Sequence, residues 1–160
     1  KKVGEAEKTK FERSFKREQY SYLTMDSKVN MVWHQVTSTD ANAYFADATA
    51  IWTGVNVISP TWSILTDTSG NIASIASADY VSQAHEKGLQ VWGLIDNFTQ
   101  EVSTTETLSS TAARQNIISQ LIQAAQDVGM DGINVDFESL SEDVGTHFLE
   151  FSERTFHRVS

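Results

Sequence analysis

The densest chemistry in this chain lies in one octapeptide, Asp131-Gly132-Ile133-Asn134-Val135-Asp136-Phe137-Glu138. Side chains alternate between the faces of a strand, so Asn134, Asp136 and Glu138 share one face while Ile133, Val135 and Phe137 share the other. A parallel strand covered on both sides is normally apolar on both. Three polar groups in a row are costly in a plain core, and they make sense where that face opens into a site. Asp136 stands about 7 Å behind Glu138, at about 3.3 Å of rise per residue. Crowded carboxylates raise one another's proton affinity, which lets one stay protonated near neutrality as an acid beside an ionised partner. The proton then belongs to the pair rather than to either residue. Asp131 has the opposite parity and, with Gly132, is expected to serve the start of the strand structurally.

Two plainer readings stand beside this one. The acids can be the solvated face of an amphipathic edge strand. They can also be oxygen ligands of Mg²⁺ or Ca²⁺, although such a site needs more ligands than this strand offers. His34 falls near a strand end and reads as a hydrogen-bonded core histidine. His85, His147 and His157 fall at helical positions without metal-ligand spacing, and His85 and His147 are expected at the surface.

The flanking sequence supplies a repeating scaffold. Residues 29–36 are β-branched and aromatic and predict a strand, followed by a capping cluster, Thr37-Ser38-Thr39-Asp40, and a short helix over 41–51. Residues 54–59 predict a second strand closed by Pro60, and 61–70 a loop ending in turn residues. Ser77 or Asp79 caps a second helix that stops at Gly88. A third strand over 89–96 is followed by a Ser/Thr-rich loop over 99–105. A long helix over 110–128 carries Ile117, Ile118, Leu121, Ile122 and Ala125 at helical spacing. Gly129 ends it, 131–138 form the fourth strand, and Ser141 opens a fourth helix. The end, from Ser152 onward, reads as a polar tail.

Four strand–helix units of about 30 residues imply a parallel sheet with right-handed crossovers. That sheet is either doubly wound or half of an eightfold barrel. No G-x-G-x-x-G follows the first strand, which counts against a dinucleotide site. In a barrel the C-terminal strand ends form the catalytic mouth, and Glu138 lies at such an end.

Composition narrows the class further. A chain of 160 residues, 40% hydrophobic, holds one core, and no apolar run is long enough to span a membrane. The absence of cysteine excludes a disulfide scaffold and a thiolate zinc site. The net charge is −9 even though residues 1–24 hold seven Lys and Arg against four Glu. So acidic a body argues against nucleic acid as a partner. Residues 1–27 read as a polar arm or linker, with Phe11 and Phe15 spaced for a short helix. An opening of Lys-Lys-Val, neither Met nor an apolar leader, is expected of a piece of a longer protein.

Asp-Gly-apolar-Asp-apolar-Asp-apolar-Glu is the fourth-strand signature of glycoside hydrolase family 18, the chitinase-like barrels. Residues 131–138 resemble it everywhere except Asn134, where the pattern has Asp. The runs Val-Trp-His-Gln-Val, Val-Ile-Ser-Pro-Thr-Trp, Val-Trp-Gly-Leu-Ile-Asp-Asn-Phe and Gly-Met-Asp-Gly-Ile-Asn-Val-Asp-Phe-Glu resemble its bacterial cell-wall and spore-cortex branch. The resemblance covers residues 28–151. It implies an α/β fold of the (β/α)8 TIM-barrel type, of which residues 28–160 hold about the first four βα units.

The resemblance implies hydrolysis of β-1,4 bonds in N-acetylglucosamine-containing glycans, peptidoglycan or chitin-like, by a retaining, substrate-assisted route. Glu138 would be the acid and base, Asp136 would hold the substrate acetamide, and Asn134 would stand beside Asp136 as a hydrogen-bond donor. Trp62 and Asn97, each just past a strand end, are the candidates for substrate contact. Trp33 is another, although tryptophan is equally a packing residue, as Trp92 is expected to be. No metal or cofactor is implied. The partner is an N-acetylated polysaccharide, the location extracellular or the cell envelope. The remaining barrel half, with its own site residues, and any cell-wall-binding modules belong to the parent protein. The competing expectation is a catalytically incomplete fragment or a non-catalytic glycan-binding module.

An amide at 134 can donate a hydrogen bond but cannot take up a proton. The expected consequence is a shifted pH optimum rather than lost activity. Asn134→Asp should therefore move the pH–rate profile, and an unmoved profile would count against a role for residue 134 in the acid pair.

Overall fold

The structure is a computed structural model that describes residues 28–98 and 101–159, with side chains described as far as Ser152. The arm over 1–27 and its short helix lie outside the described residues. The strands are β1 (Met31–His34), β2 (Val57–Leu65), β3 (Ile72–Ser74), β4 (Gln90–Asp96) and β5 (Gly132–Asp136). β1, β2, β4 and β5 lie side by side in that order and all pair in parallel, while β3 folds back antiparallel on the end of β2. This is the parallel α/β sheet the strand–helix rhythm predicts. Among the described residues it is an open sheet, with β1 and β5 at its two edges.

The helices are α1 (Phe45–Thr49), α2 (Ala78–Glu86), α3 (Thr104–Ser109), α4 (Thr111–Val128) and α5 (Gly145–Val159). Serine hydroxyls cap three of them. Ser77, Ser103 and Ser110 accept the backbone N–H of Tyr80, Glu106 and Ala113, each satisfying a donor the helix itself leaves free. Gly129 ends α4 with φ 77°, a left-handed cap that glycine adopts without a side-chain clash.

Several boundaries differ from the sequence expectation for identifiable reasons. The short helix over 41–51 splits into a 3-10 turn (Asp40–Tyr44) and the single-turn α1. The loop expected over 61–70 is instead the second half of β2 and a hairpin into β3. Pro60 does not end the strand, because it lies opposite His34, the last residue of β1, where the ladder on that side stops. A register shift between Thr61 and Ser63 then inserts one extra residue into β2. That bulge changes the phase of the strand, so that Leu65 joins the helix-side core. The Ser/Thr-rich segment closes into α3, and the tail from Ser152 is helical as far as Val159.

The core lies on the helix side of the sheet in two clusters. One gathers Leu65, Ile95, Leu108, Ile117, Leu121, Phe137 and Phe151, and the other Phe45, Ile58, Trp62, Tyr80, Val81 and Val91. Arg114, 5% exposed, ties the helices together. It donates to the Leu108 carbonyl, to Thr111 Oγ1, and to Glu150 Oε2 at 2.9 Å. His34 is a core histidine, its Nδ1 2.7 Å from the Tyr80 hydroxyl, and burial lowers its proton affinity.

Gly70 and Gly129 both have positive φ, but only Gly70 is enclosed. A Cβ there would stand 2.3 Å from the Ala113 carbonyl oxygen, whereas a Cβ on Gly129 meets nothing within 4 Å. Gly129→Ala should therefore cost about 1–2 kcal/mol for the left-handed backbone. Gly70→Ala should cost that plus about 1–3 kcal/mol of overpacking, read as a larger fall in urea midpoint at unchanged m-value.

Candidate active site

Cross-strand partners in register share a face, so the pairing fixes which side chains meet. Leu94 is opposite Asn134 and Asp96 opposite Asp136, with the two strands about 4.8 Å apart. Ile133, Val135 and Phe137 pack into the helix-side core. Asn134, Asp136 and Glu138 consequently point to the other, open face. On that face Asp136 is half-buried and Glu138 exposed. Neither carboxylate accepts a hydrogen bond from the described residues, which leaves both free to meet a ligand.

Glu138 lies just past the end of β5, and its main chain is held from the neighbouring strand. Asn97 Oδ1 accepts the Glu138 N–H at 2.9 Å, and Asn97 Nδ2 donates to the Glu138 carbonyl at 2.9 Å and to Thr104 Oγ1 at 3.0 Å. Ser139 follows in a left-handed conformation, φ 55°, which costs a non-glycine residue about 1–2 kcal/mol and turns the chain sharply after the acid. Asn97, expected as a substrate contact, thus lies at the same strand ends as Glu138, and both of its amide hydrogens are already committed to protein oxygens.

Asp96 is the acid that sequence reasoning passed over. Burial raises its proton affinity above the ordinary 3.8; the Phe98 N–H donated to Oδ1 at 3.1 Å opposes that, and the charge of Asp136 adds to it. The available signal was an acidic residue ending a strand, but its face could be known only once the register against β5 was known. Ser59 was missed as well. Asn134 Nδ2 donates to the fully buried Ser59 Oγ at 3.1 Å, so its amide reaches across β4 rather than to Asp136 as expected.

The other candidates lie elsewhere. Trp62 was expected to touch substrate, but it is 2% exposed. β2 runs on past Pro60, and alternation from the core residue Ile58 keeps Trp62 on the helix side, where its ring meets Tyr80 edge-on and its Nε1 donates to Asn42 Oδ1 at 2.7 Å. Trp33 lies on the open face opposite Ser59 and is 62% exposed. It is separated from the acids by two strands. Trp92 packs over Gly132, where a Cβ would come within 2.9 Å of its ring. Asp131 Oδ2 accepts the Val91 N–H at 2.7 Å and lies 2.8 Å from His85 Nε2, tying β5 to β4 at the end away from the acids. Among the described residues no group of three His, Asp or Glu side chains is placed to hold a metal ion.

Asp96 carries a pH signature. Its proton affinity is raised in the folded chain, so the native state holds more protons than the unfolded one above pH 3.8. Stability should fall as pH rises through the window from 3.8 to the raised value. Asp96→Asn should abolish that fall, making the variant more stable than the parent at neutral pH in thermal melts, with the advantage disappearing below pH 3.8.

No protein-family model matches the sequence, and no curated protein matches it by sequence. Solved structures match the fold. The spore cortex-lytic enzyme SleL of Bacillus cereus superimposes with a TM-score of 0.70 at 17% identity, over 86% of this chain and 34% of that one. A C-terminal domain assigned as a chitinase in Desulfitobacterium hafniense DCB-2 gives 0.67 at 20% identity, over 81% and 42%. The chitinase of Chromobacterium violaceum ATCC 12472 gives 0.62 at 18% identity, over 81% and 41%. The chain spans less than half the length of these structures. Over most of its own length it shares the fold of chitinases and of a spore cortex-lytic enzyme, a glycoside hydrolase family 18-like fold.

Proposed function

We propose that this chain carries the acid-bearing half of a retaining glycoside hydrolase that cuts N-acetylglucosamine-containing glycans, peptidoglycan or chitin-like. One observation carries the reading. Glu138 sits at the C-terminal end of a parallel strand, in line with Asp136 on the open face, its main chain held by Asn97 and its carboxylate without a hydrogen bond from the described residues. General acid chemistry needs that combination of a fixed backbone and a free carboxyl group. The chitinase and cortex-lytic neighbours support glycan hydrolysis as the class of reaction.

In the proposed reaction Glu138 protonates the glycosidic oxygen as the substrate's own 2-acetamido oxygen attacks the anomeric carbon. The C–O bond to the leaving sugar breaks and an oxazolinium forms. Asp136 accepts the acetamide N–H, holding the group in line and offsetting the positive charge. Water then attacks the same carbon and gives its proton to Glu138, so the acid is restored and the configuration retained. Asp96, opposite Asp136, is the group that shares negative charge with it, and Asn134 keeps the strand polar without adding another. A substrate of this kind places the protein outside the cell or in its envelope.

A second reading is a module that binds such glycans without cutting them. It is favoured by the chain's spanning only 34–42% of the solved chains it matches, since strands absent from this sheet would have to supply the rest of a barrel mouth. Incubation with N-acetylglucosamine oligomers and purified peptidoglycan, read by mass spectrometry, separates the two. The expected outcome is cleavage by the parent and a fall of about 10²–10⁴-fold in Glu138→Gln, the range that loss of a general acid gives, with unchanged circular dichroism. A folded parent that binds oligomers and releases no product supports the binding module instead.

A further inference from the structure

We infer that Asn97 is a positioning residue for Glu138: its side-chain amide replaces one rung of the β4–β5 ladder and sets where the Glu138 carboxylate projects, without touching the glycan itself. The inference rests on the hydrolase reading and assigns Asn97 a role different from substrate contact.

The backbone register between β4 and β5 ends at Asp96 opposite Asp136. Glu138 lies two residues beyond, where no strand pairing holds it. The Asn97 side chain fills that gap by presenting one acceptor and one donor to the N–H and the carbonyl of the same residue, both at 2.9 Å. In a parallel ladder those two functions come from the C=O and N–H of the two residues flanking the partner position. The two residues are 41 apart in sequence, so this is not the local backbone bond by which asparagine usually shapes its own turn.

The remaining amide hydrogen goes to Thr104 Oγ1, at the first residue of α3. The two Glu138 contacts fix the amide orientation, because a flipped amide would set its oxygen against the Glu138 carbonyl and its nitrogen against the Glu138 N–H. With both hydrogens committed, Asn97 has no donor left for a sugar hydroxyl.

Glu138 is consequently gripped by its main chain alone. Phe137 before it is anchored in the core, Ser139 after it turns at φ 55°, and Asn97 holds the peptide groups between. Its carboxylate accepts nothing from the described residues, so no other hydrogen bond fixes its direction. Misplacement of about 1 Å at a reacting group can cost on the order of 10²-fold in rate, and releasing this grip acts directly on that placement.

The test pairs amide hydrogen exchange at Glu138 with hydrolysis of N-acetylglucosamine oligomers by the same chain. Asn97→Ala is expected to speed exchange of the Glu138 N–H by about tenfold, the loss of one hydrogen bond's worth of protection. It should also lower kcat by on the order of 10²-fold at nearly constant KM, because no substrate contact is removed. Asn97→Asp, which keeps the acceptor and loses the donors, should retain Glu138 protection and recover part of kcat. Asn116→Ala removes another long-range amide link, to Ser69 and Asn71, and should change neither reading. Unchanged Glu138 exchange in Asn97→Ala, an unchanged kcat, or a loss confined to KM each overturns the inference. An inactive parent whose Glu138 amide is nonetheless protected by Asn97 overturns the hydrolase reading, and the catalytic sense of the clamp with it. An active parent with an unprotected Glu138 amide overturns the clamp alone.

Discussion

Phe137 stacked on Phe151, with ring centroids 5.7 Å apart and planes within 10°, is the contact that decides where the acids point. It sits between Asp136 and Glu138 in the chain, and burying such a ring contributes about 1.5–3 kcal/mol. Ile133 and Val135 pack against the same cluster. A slip of one residue would lift this apolar set off the helices and drive Asn134, Asp136 and Glu138 into them. Stranding even one neutral polar group there costs about 1–3 kcal/mol by protein mutational measure, and a charged one more. Both terms favour the same phase, and their sum exceeds thermal energy several-fold. The polar strip is thus held outward by what lies behind it.

That anchoring depends on α5 staying in place, since Phe151 is part of it. Arg114 binds α4 to α5 through Glu150 and to α3 through Leu108. Its charge is nearly buried, yet it is paired and its donors are shared among three further oxygens or nitrogens. Those partners make burial of a guanidinium tolerable. A chain of contacts therefore runs from a buried arginine through two stacked rings to the exposed Glu138.

Strand ends are handled by side chains that imitate backbone. Asn97 does this for Glu138. Toward the β1 edge of the sheet Thr61 Oγ1 accepts the Val36 N–H at 2.9 Å and donates to the Val36 carbonyl at 3.2 Å, holding the chain as it leaves β1. Both devices lie at the C-terminal ends of parallel strands, where the ladders run out. The electrostatics of that rim follow from the same register. Asp96 and Asp136 face each other across two strands, so a third carboxylate at position 134 would crowd a site that already holds two. An amide there donates to Ser59 and adds no charge, which gives asparagine at this position a physical basis.

Alternation and composition were enough to read four parallel strands and the acid-bearing face of the last one, because a period of two leaves Asn134, Asp136 and Glu138 no choice but to share a side. Serine caps and glycine stops were local signals and located most helix ends. Whatever depended on pairing between distant segments was decided only in three dimensions. Trp62 reads as a mouth residue if Pro60 ends the strand, yet pairing with β4 carries β2 past the proline and leaves Trp62 on the same face as Ile58. Asp96 reads as one more strand residue until β5 lies beside it. Asn97 and Ser59 lie in runs that resemble the family, but nothing near them names their partners, which are 41 and 75 residues away. The sequence by itself determined which residues are acidic, apolar or turning, since those are properties of residues and their near neighbours. The tertiary structure determined which of them meet, because register is a relation between strands that no single strand contains.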